Sequence, residues 1–149
     1  MAFYGTQAIQ LDDKNRLRIP ARFRPDLGKF YYVMYGTGGC LWVMSKEGFE
    51  EFTDKYDQIP ESDLEAQNNL RRIMASVTVP EEDAQGRFVL PQAAKEFCGI
   101  NKRVMFVGVK KRLEIWSEDN YNSRFLVDST GFDKAFVGLE HYEGKKIAD

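Results

Sequence analysis

Short alternating runs of apolar and polar residues dominate the chain, and they come in two similar sets. Leu17-Arg18-Ile19 alternates apolar, basic, apolar, as a half-buried strand does. Phe30–Tyr35 with Cys40–Met44, and Arg103–Val107 with Leu113–Trp116, read as β-hairpins, the first turning at Gly36, Gly38 and Gly39. Pro20 and Pro91 stand where short helices can begin, because proline is tolerated in a first helical turn. Those helices would cover Ala21–Leu27 and Gln92–Phe97, the second ending near Gly99. Ser45 and Ser117 read as N-caps, with Glu47, or Glu118 and Asp119, in the turn that follows. Ser62-Asp63-Leu64-Glu65 has capping-box spacing ahead of a middle helix whose apolar side would hold Leu64, Leu70, Ile73 and Met74. From Asp128 onward a loosely packed helix or tail is expected, with the polar stretch 143–149 frayed.

The two sets are copies of one unit. Asp, Arg and Pro recur at 12/83, 16/87 and 20/91, a common offset of 71, and Leu17 and Ile19 match Phe88 and Leu90. Tyr32–Tyr35 aligns with Arg103–Phe106 at the same offset. Leu41–Ser45 aligns with Leu113–Ser117 after a one-residue slip that a turn absorbs. In each copy a strand runs into Asp-x-x-Asn/Gly-Arg. Asn15 and Gly86 share the position that calls for a left-handed residue. The expected layout is a first unit at 1–60, a linking helix at 61–78, a second unit at 79–126 and a C-terminal helix or tail at 127–149.

Composition narrows the function classes. Of 149 residues, 43% are hydrophobic and 30% charged, enough for an ordinary core in one domain or two very small ones. No run approaches the ~20 apolar residues of a membrane helix, and the first residues carry no secretory pattern. Two distant cysteines, Cys40 and Cys98, and a single His141 make no recognisable zinc site, so no metal or cofactor is expected. Buried free thiols in a reducing cytosol are the favoured reading, with one disulfide left open. No nucleophile signature surrounds His141, and the glycines 36, 38 and 39 lack the lysine of a phosphate loop. The expectation is a cytoplasmic non-enzyme with no small-molecule substrate.

Charge supplies the positive signal. Lys14, Arg16, Arg18, Arg22 and Arg24 put five basic residues within eleven in a chain of net charge -2. Glu47, Glu50, Glu51, Asp54, Asp57, Glu61, Asp63 and Glu65 gather in the helical middle. Lys and Arg neutralise phosphates, and Arg also reads guanine edges bidentately. Within Asp-x-x-x-Arg, a salt bridge that pins the turn competes with that reading. Asp12 and Asp83 are assigned to structural work, and the residues alone leave Arg16 between structure and DNA. Arg87 shares the turn but has uncharged neighbours, so the first unit is expected to dominate contacts. Arg71 and Arg72 are expected to pair with acids. Phe23, Phe30, Tyr31, Tyr32, Trp42, Phe49, Phe52 and Trp116 read as core or interface rather than base-stacking platforms.

Phe3-Tyr4-Gly5, Leu11-Asp12-x-Lys14-x-Arg16-Leu17-x-Ile19-Pro20, Arg22-Phe23-Arg24, Arg71-Arg72 and Asp83-x-x-Gly86-Arg87-Phe88-x-Leu90-Pro91 together resemble the MraZ family over about residues 3–125. The chain departs from that pattern at Ala2, which is extra, and at Asn15, which stands where glycine is usual. The resemblance implies an α+β, mainly β fold of AbrB/SpoVT type. In it, two tandem βαββ-like units interleave into an intrachain pseudo-dimeric swapped-hairpin barrel with peripheral helices. It also implies a nucleoid-associated transcriptional regulator, a homo-oligomer associating in rings. Such proteins bind direct repeats in double-stranded promoter DNA upstream of the division and cell-wall gene cluster, without a cofactor. It favours DNA contact for Arg16 in the first unit. The rival reading is an AbrB-like module whose main partner is a protein, of antitoxin type or a structural ring.

Overall fold

The computed structural model describes residues 2–142. The fold is α+β: among the described residues, five antiparallel strands form one sheet, two more form a separate ribbon, and six α-helices accompany them. The strands are β1 Thr6–Gln10, β2 Arg16–Arg18, β3 Tyr31–Tyr35, β4 Leu41–Ser45, β5 Arg87–Val89, β6 Arg103–Val109 and β7 Arg112–Ser117. The helices are α1 Arg24–Leu27, α2 Lys46–Asp54, α3 Leu64–Ala75, α4 Gln92–Cys98, α5 Glu118–Phe125 and α6 Ser129–Leu139. The helices span more residues than the strands, so "mainly β" describes the core rather than the whole chain. Phe106, Leu113, Ile115, Val104 and Val43, all on strands, are fully buried. No helix among the described residues is long and apolar enough to cross a membrane.

The strand order β1-β6-β7-β4-β3 mixes the two halves of the sequence. β1 does not pair with its own hairpin, β3–β4. It lies antiparallel to β6, Ala8 facing Met105. β4 meets β7 with Trp42 facing Glu114, and β2 meets β5 with Leu17 facing Phe88. Both facing pairs join residues that the sequence repeat matches. In the second copy the leading strand shrinks to one bridge, Thr78 to Val33. Pro80 offers no N–H for a longer ladder there.

Both hairpins form as expected, and the second runs on to a tight turn in which Lys110 has φ 61. Ser45 accepts the Gly48 N–H and Ser117 the Asn120 N–H, each at 3.0 Å, capping α2 and α5. α4 ends at a left-handed Gly99. The helix expected over Ala21–Leu27 is divided into a 3-10 turn, Ala21–Phe23, and the single turn α1. Pro25 lacks the N–H that would reach the Ala21 carbonyl in an α-helix, and Arg24 N–H bonds it instead.

The middle helix departs from expectation in three ways. Its cap is Asp63, not Ser62: the carboxylate accepts the Ala66 N–H at 3.1 Å and complements the helix dipole. Leu64 is 73% exposed and Met74 41%, so of the four expected apolar residues Ile73 alone packs against a buried cluster. Arg71 and Arg72 donate to Asn68 and Asn69 one turn earlier, and neither forms an ion pair among the described residues. Cys40 and Cys98 are buried free thiols, each pushed up to about 12 by burial.

A close backbone approach ties the N-terminus to the sheet. Phe3 and Lys110 exchange backbone hydrogen bonds of 2.8 Å, and Gly108 N–H donates to the Gly5 carbonyl. A Cβ on Gly108 would collide with the Tyr4 backbone nitrogen. Gly108→Ala is therefore expected to cost about 1–3 kcal/mol, the range for overpacking, read as a lower chemical-denaturation midpoint. An unchanged midpoint would show that the N-terminal segment can move away freely.

Candidate nucleic-acid interface

Two identical turn clamps frame the ribbon. Asp12 Oδ1 accepts the N–H of Lys14 at 3.0 Å and of Arg16 at 2.8 Å, while Oδ2 takes Arg16 Nε at 2.6 Å. Asp83 repeats the pattern with Gln85 and Arg87 N–H at 2.9 Å and Arg87 Nε at 3.0 Å. Asn15 (φ 57) and Gly86 (φ 79) occupy the left-handed position of each turn. The first is also held by Lys95 Nζ, which donates to its side-chain oxygen at 2.8 Å. Desolvation pushes the Asp12 carboxyl up, but the Arg16 and Lys14 hydrogen bonds outweigh it and hold it below the usual carboxylate range. Asp83 is lowered chiefly by the Arg87 backbone N–H.

Between the clamps the ribbon has two faces, because strand side chains alternate. Leu17 and Phe88 point into the core at 1% and 4% exposure. Arg16 and Arg18 on β2, and Arg87 and Val89 on β5, therefore share the outer face. The register sets Arg18 directly against Arg87, a like-charge pair that costs stability. Three carboxylates offset the cost: Asp12 on Arg16, Asp83 on Arg87 and Glu82 on Arg24 at 2.8 Å, with Arg87 also 3.9 Å from Asp12. The Arg18 side chain has neither a hydrogen bond nor an ion pair among the described residues, and the residue is exposed. An open cleft of about 670 Å³ beside it is lined by Arg18, Arg24, Arg87, Glu82, Asp83 and Gly86.

The five basic residues expected at the site divide. Lys14 is exposed at the tip of the first turn, and Arg16 and Arg18 lie on the ribbon. Arg24 borders the cleft and is tied by Glu82 and by the Ile19 carbonyl. Arg22 stands apart, spending its guanidinium on the carbonyls of Tyr4 at 2.9 Å and Thr6 at 3.4 Å and lying over the Phe23 ring. Pro20, buried, stands at the N-cap of the 3-10 turn, and Pro91, exposed, at the N-cap of α4, so each ends a ribbon strand where a helix begins.

Two residues beside this surface are not placed there by the sequence. Arg87 was given the turn role alone; its place beside Arg18 depends on cross-pairing of the halves, for which the shared offset of Leu17 and Phe88 was the available signal. Glu82 had no signal. It accepts from Arg24 and from the Tyr31 hydroxyl; desolvation raises its carboxyl, but those bonds and the charges of Arg24 and Arg18 bring it below the usual range. Burial and the Glu82 contact push the Tyr31 hydroxyl up. No group of three or more His, Cys, Asp or Glu among the described residues could hold a metal.

The stability of the clamps follows pH in a defined direction. A lowered carboxyl stabilises the fold fully above the unfolded value of about 4 and loses that contribution as pH falls through the folded value. Asp12→Asn combined with Asp83→Asn should lower the urea midpoint at pH 7 and flatten its fall between about pH 4 and pH 2. A double variant that keeps the wild-type acid slope would remove the clamps from the pH dependence.

The chain matches the family described as "MraZ protein, putative antitoxin-like" twice, over residues 2–72 and 73–130. Relatives named transcriptional regulator MraZ include that of Moorella thermoacetica, 37% identical over 119 residues, covering 80% of this chain and 83% of the relative. That of Carboxydothermus hydrogenoformans is 35% identical over 121 residues, covering 81% and 85%. That of Clostridium botulinum is 33% identical over 123 residues, covering 80% and 87%. With both of its halves matched by the same family, the chain belongs to the MraZ family.

Proposed function

We propose that this protein is a transcriptional regulator that binds double-stranded DNA sequence-specifically through the outer face of the β2–β5 ribbon. The observation that carries the reading is the Leu17–Phe88 pairing, which gathers Arg16, Arg18 and Arg87 on one exposed surface. A two-stranded ribbon fits a major groove. Asp12 and Asp83 grip Arg16 and Arg87 through Nε, so both guanidiniums keep outer nitrogens for base edges or phosphates while losing little side-chain freedom on binding. Arg18 reaches out unpaired between them. Lys14 serves as a phosphate contact, Arg24 as a cleft wall shared with Glu82, and Arg22 as a support for the N-terminal segment. The relatives' shared name, transcriptional regulator, supports the same assignment.

The reading includes an architecture. Two βαββ-like units, 1–60 and 79–126, joined by the helix at 61–78 and followed by 127–149, make an intrachain pseudo-dimer of swapped hairpins. Its support is the cross-pairing of β1 with β6 and of β2 with β5. It also includes a setting: a homo-oligomer, ring-shaped and nucleoid-associated, acting on direct repeats upstream of the division and cell-wall genes. Repeats in the DNA would then match repeats in the protein, and weak contacts would add through effective concentration.

The direct test is fluorescence anisotropy at roughly 150 mM salt, comparing a duplex from upstream of the protein's own gene with a scrambled duplex. Clear preference for the upstream duplex is expected; equal or absent binding moves the function to a protein partner. Arg18→Ala should weaken the preferred duplex about 10–100-fold, the worth of one good base contact, without changing oligomer mass. Wild-type affinity in that variant would take the ribbon out of the interface. Glu82→Gln, which frees Arg24, should tighten binding and steepen the salt dependence by about one unit of slope. An unchanged slope would place Arg24 away from phosphate.

A further inference from the structure

Helix α6 carries an apolar stripe that the described residues of its own chain do not cover. Phe132, Phe136 and Leu139 recur at helical spacing on one side with Ala135, and they are 61%, 74% and 65% exposed. Leu126 and Val127, in the chain just before the helix, are also exposed, at 62% and 52%, as is Val137 on another side of the helix at 62%. An aromatic side chain offers roughly 150–250 Å², so at these exposures the patch reaches the order of 500 Å² of apolar surface, in the range of the largest patches on monomers, which often serve a function. A standard protein interface buries about 800 Å² per partner, and this helix alone would supply most of one side. Eleven residues are too few for a stable isolated helix. Asp128 caps its start by accepting the Gly131 N–H, but its apolar face needs packing from elsewhere. The helix lies almost wholly beyond residue 130, where the family match ends, so the family assignment gives it no role.

The same chain presents a surface of matching character. A cleft of about 320 Å³ opens between β3, β5 and α4, with Val33, Met34, Tyr35, Phe88, Leu90 and Ala94 in its wall and no charged residue anywhere in its lining. Val89 at its edge is 60% exposed and nearby Val79 is 45% exposed. Helix and cleft are thus two uncharged apolar surfaces on one chain. Neither fills the other within that chain, and together they provide both sides of one contact.

We propose that α6 of one copy docks its Phe132–Phe136–Leu139 stripe into the β3–β5–α4 cleft of a second copy. Because donor and acceptor are different surfaces, the contact is head-to-tail and repeats from copy to copy, closing into a ring when the rotation permits. The seat borders the ribbon through Val89, so each docked helix would fix a neighbouring copy beside the arginine face. This deepens the oligomeric part of the proposed function by naming its interface.

The experiment measures solution mass by light scattering and sedimentation for the full chain and for two variants. One carries Phe132→Asp with Phe136→Asp on the helix; the other carries Val89→Asp at the cleft edge. All three positions are exposed, so thermal unfolding should remain cooperative. A chain ending at residue 127 provides a second form of the helix loss. Wild type is expected to assemble, and each variant alone to run as the 17.2 kDa monomer. Mixed one to one, the two variants have one intact helix and one intact cleft between them and should form a dimer and nothing larger. A monomeric wild type, a helix variant of wild-type mass, a Val89→Asp variant of wild-type mass, or a mixture that stays monomeric would each overturn the proposal. Retained preference of the monomeric Phe132→Asp, Phe136→Asp variant for the upstream duplex, its ribbon face unchanged, would separate failure of the assembly from failure of the DNA reading.

Discussion

The structure depends on a pairing between two three-residue strands that lie far apart in sequence. Neither Arg16–Arg18 nor Arg87–Val89 has any claim to stability alone, since an isolated two-stranded ribbon is marginal at best. Leu17 and Phe88 hold it down by burying into the cluster that also contains Ile19, Leu90, Phe106 and Ile115. Once they meet, the rest of the topology is constrained. The chain entering β2 comes from β1, and β1 is committed to β6 in the other half. The chain leaving each ribbon strand passes a proline into a short helical segment and then into a hairpin, and the two hairpins join at β4 and β7. Each half is thereby built from strands that only the other half completes.

That geometry carries an electrostatic cost. Setting Arg18 against Arg87 places like charges across a strand pair, where they repel. The chain answers with carboxylates placed by the backbone: Asp12 and Asp83 sit at the start of their turns because the turns need an acceptor there, and the same groups grip the arginines. The clamp is therefore one device with two outputs, a closed turn and an oriented guanidinium. Arg24 is treated differently. Glu82 reaches it from the connection before β5, and Tyr31 holds the other oxygen of that carboxylate, so an ion pair and a hydrogen bond stitch the two halves together beneath the basic face.

Much of this was legible from sequence because it is local. The turn motif, the left-handed Asn15 and Gly86, both hairpins and the serine caps are set by neighbours within a few residues, and the repeat offset identified the two copies. What escaped was the assignment of partners across the halves. Arg87 looked structural because its sequence neighbours are uncharged, whereas its spatial neighbour is Arg18. Arg22 reads from sequence as a helix cation that reaches phosphate or is simply solvated, yet its guanidinium bonds the Tyr4 and Thr6 carbonyls. Pro25 hid that turn inside what read as one helix. In the middle helix the capping spacing was off by one residue, because Asp63 is the better-placed acceptor. The exposed stripe of α6 could be read as helical spacing, but its exposure could not.

In the proposed function, both halves contribute arginines to one DNA-facing surface. Arginine-selective chemical modification, mapped by mass spectrometry with and without the upstream duplex, tests it most directly. Arg18 is expected to react readily in the free protein, and DNA to protect Arg16, Arg18 and Arg87 together while Arg22 and Arg103 are unchanged. Protection confined to arginines elsewhere, with Arg18 and Arg87 as reactive in the complex as in the free chain, would contradict it.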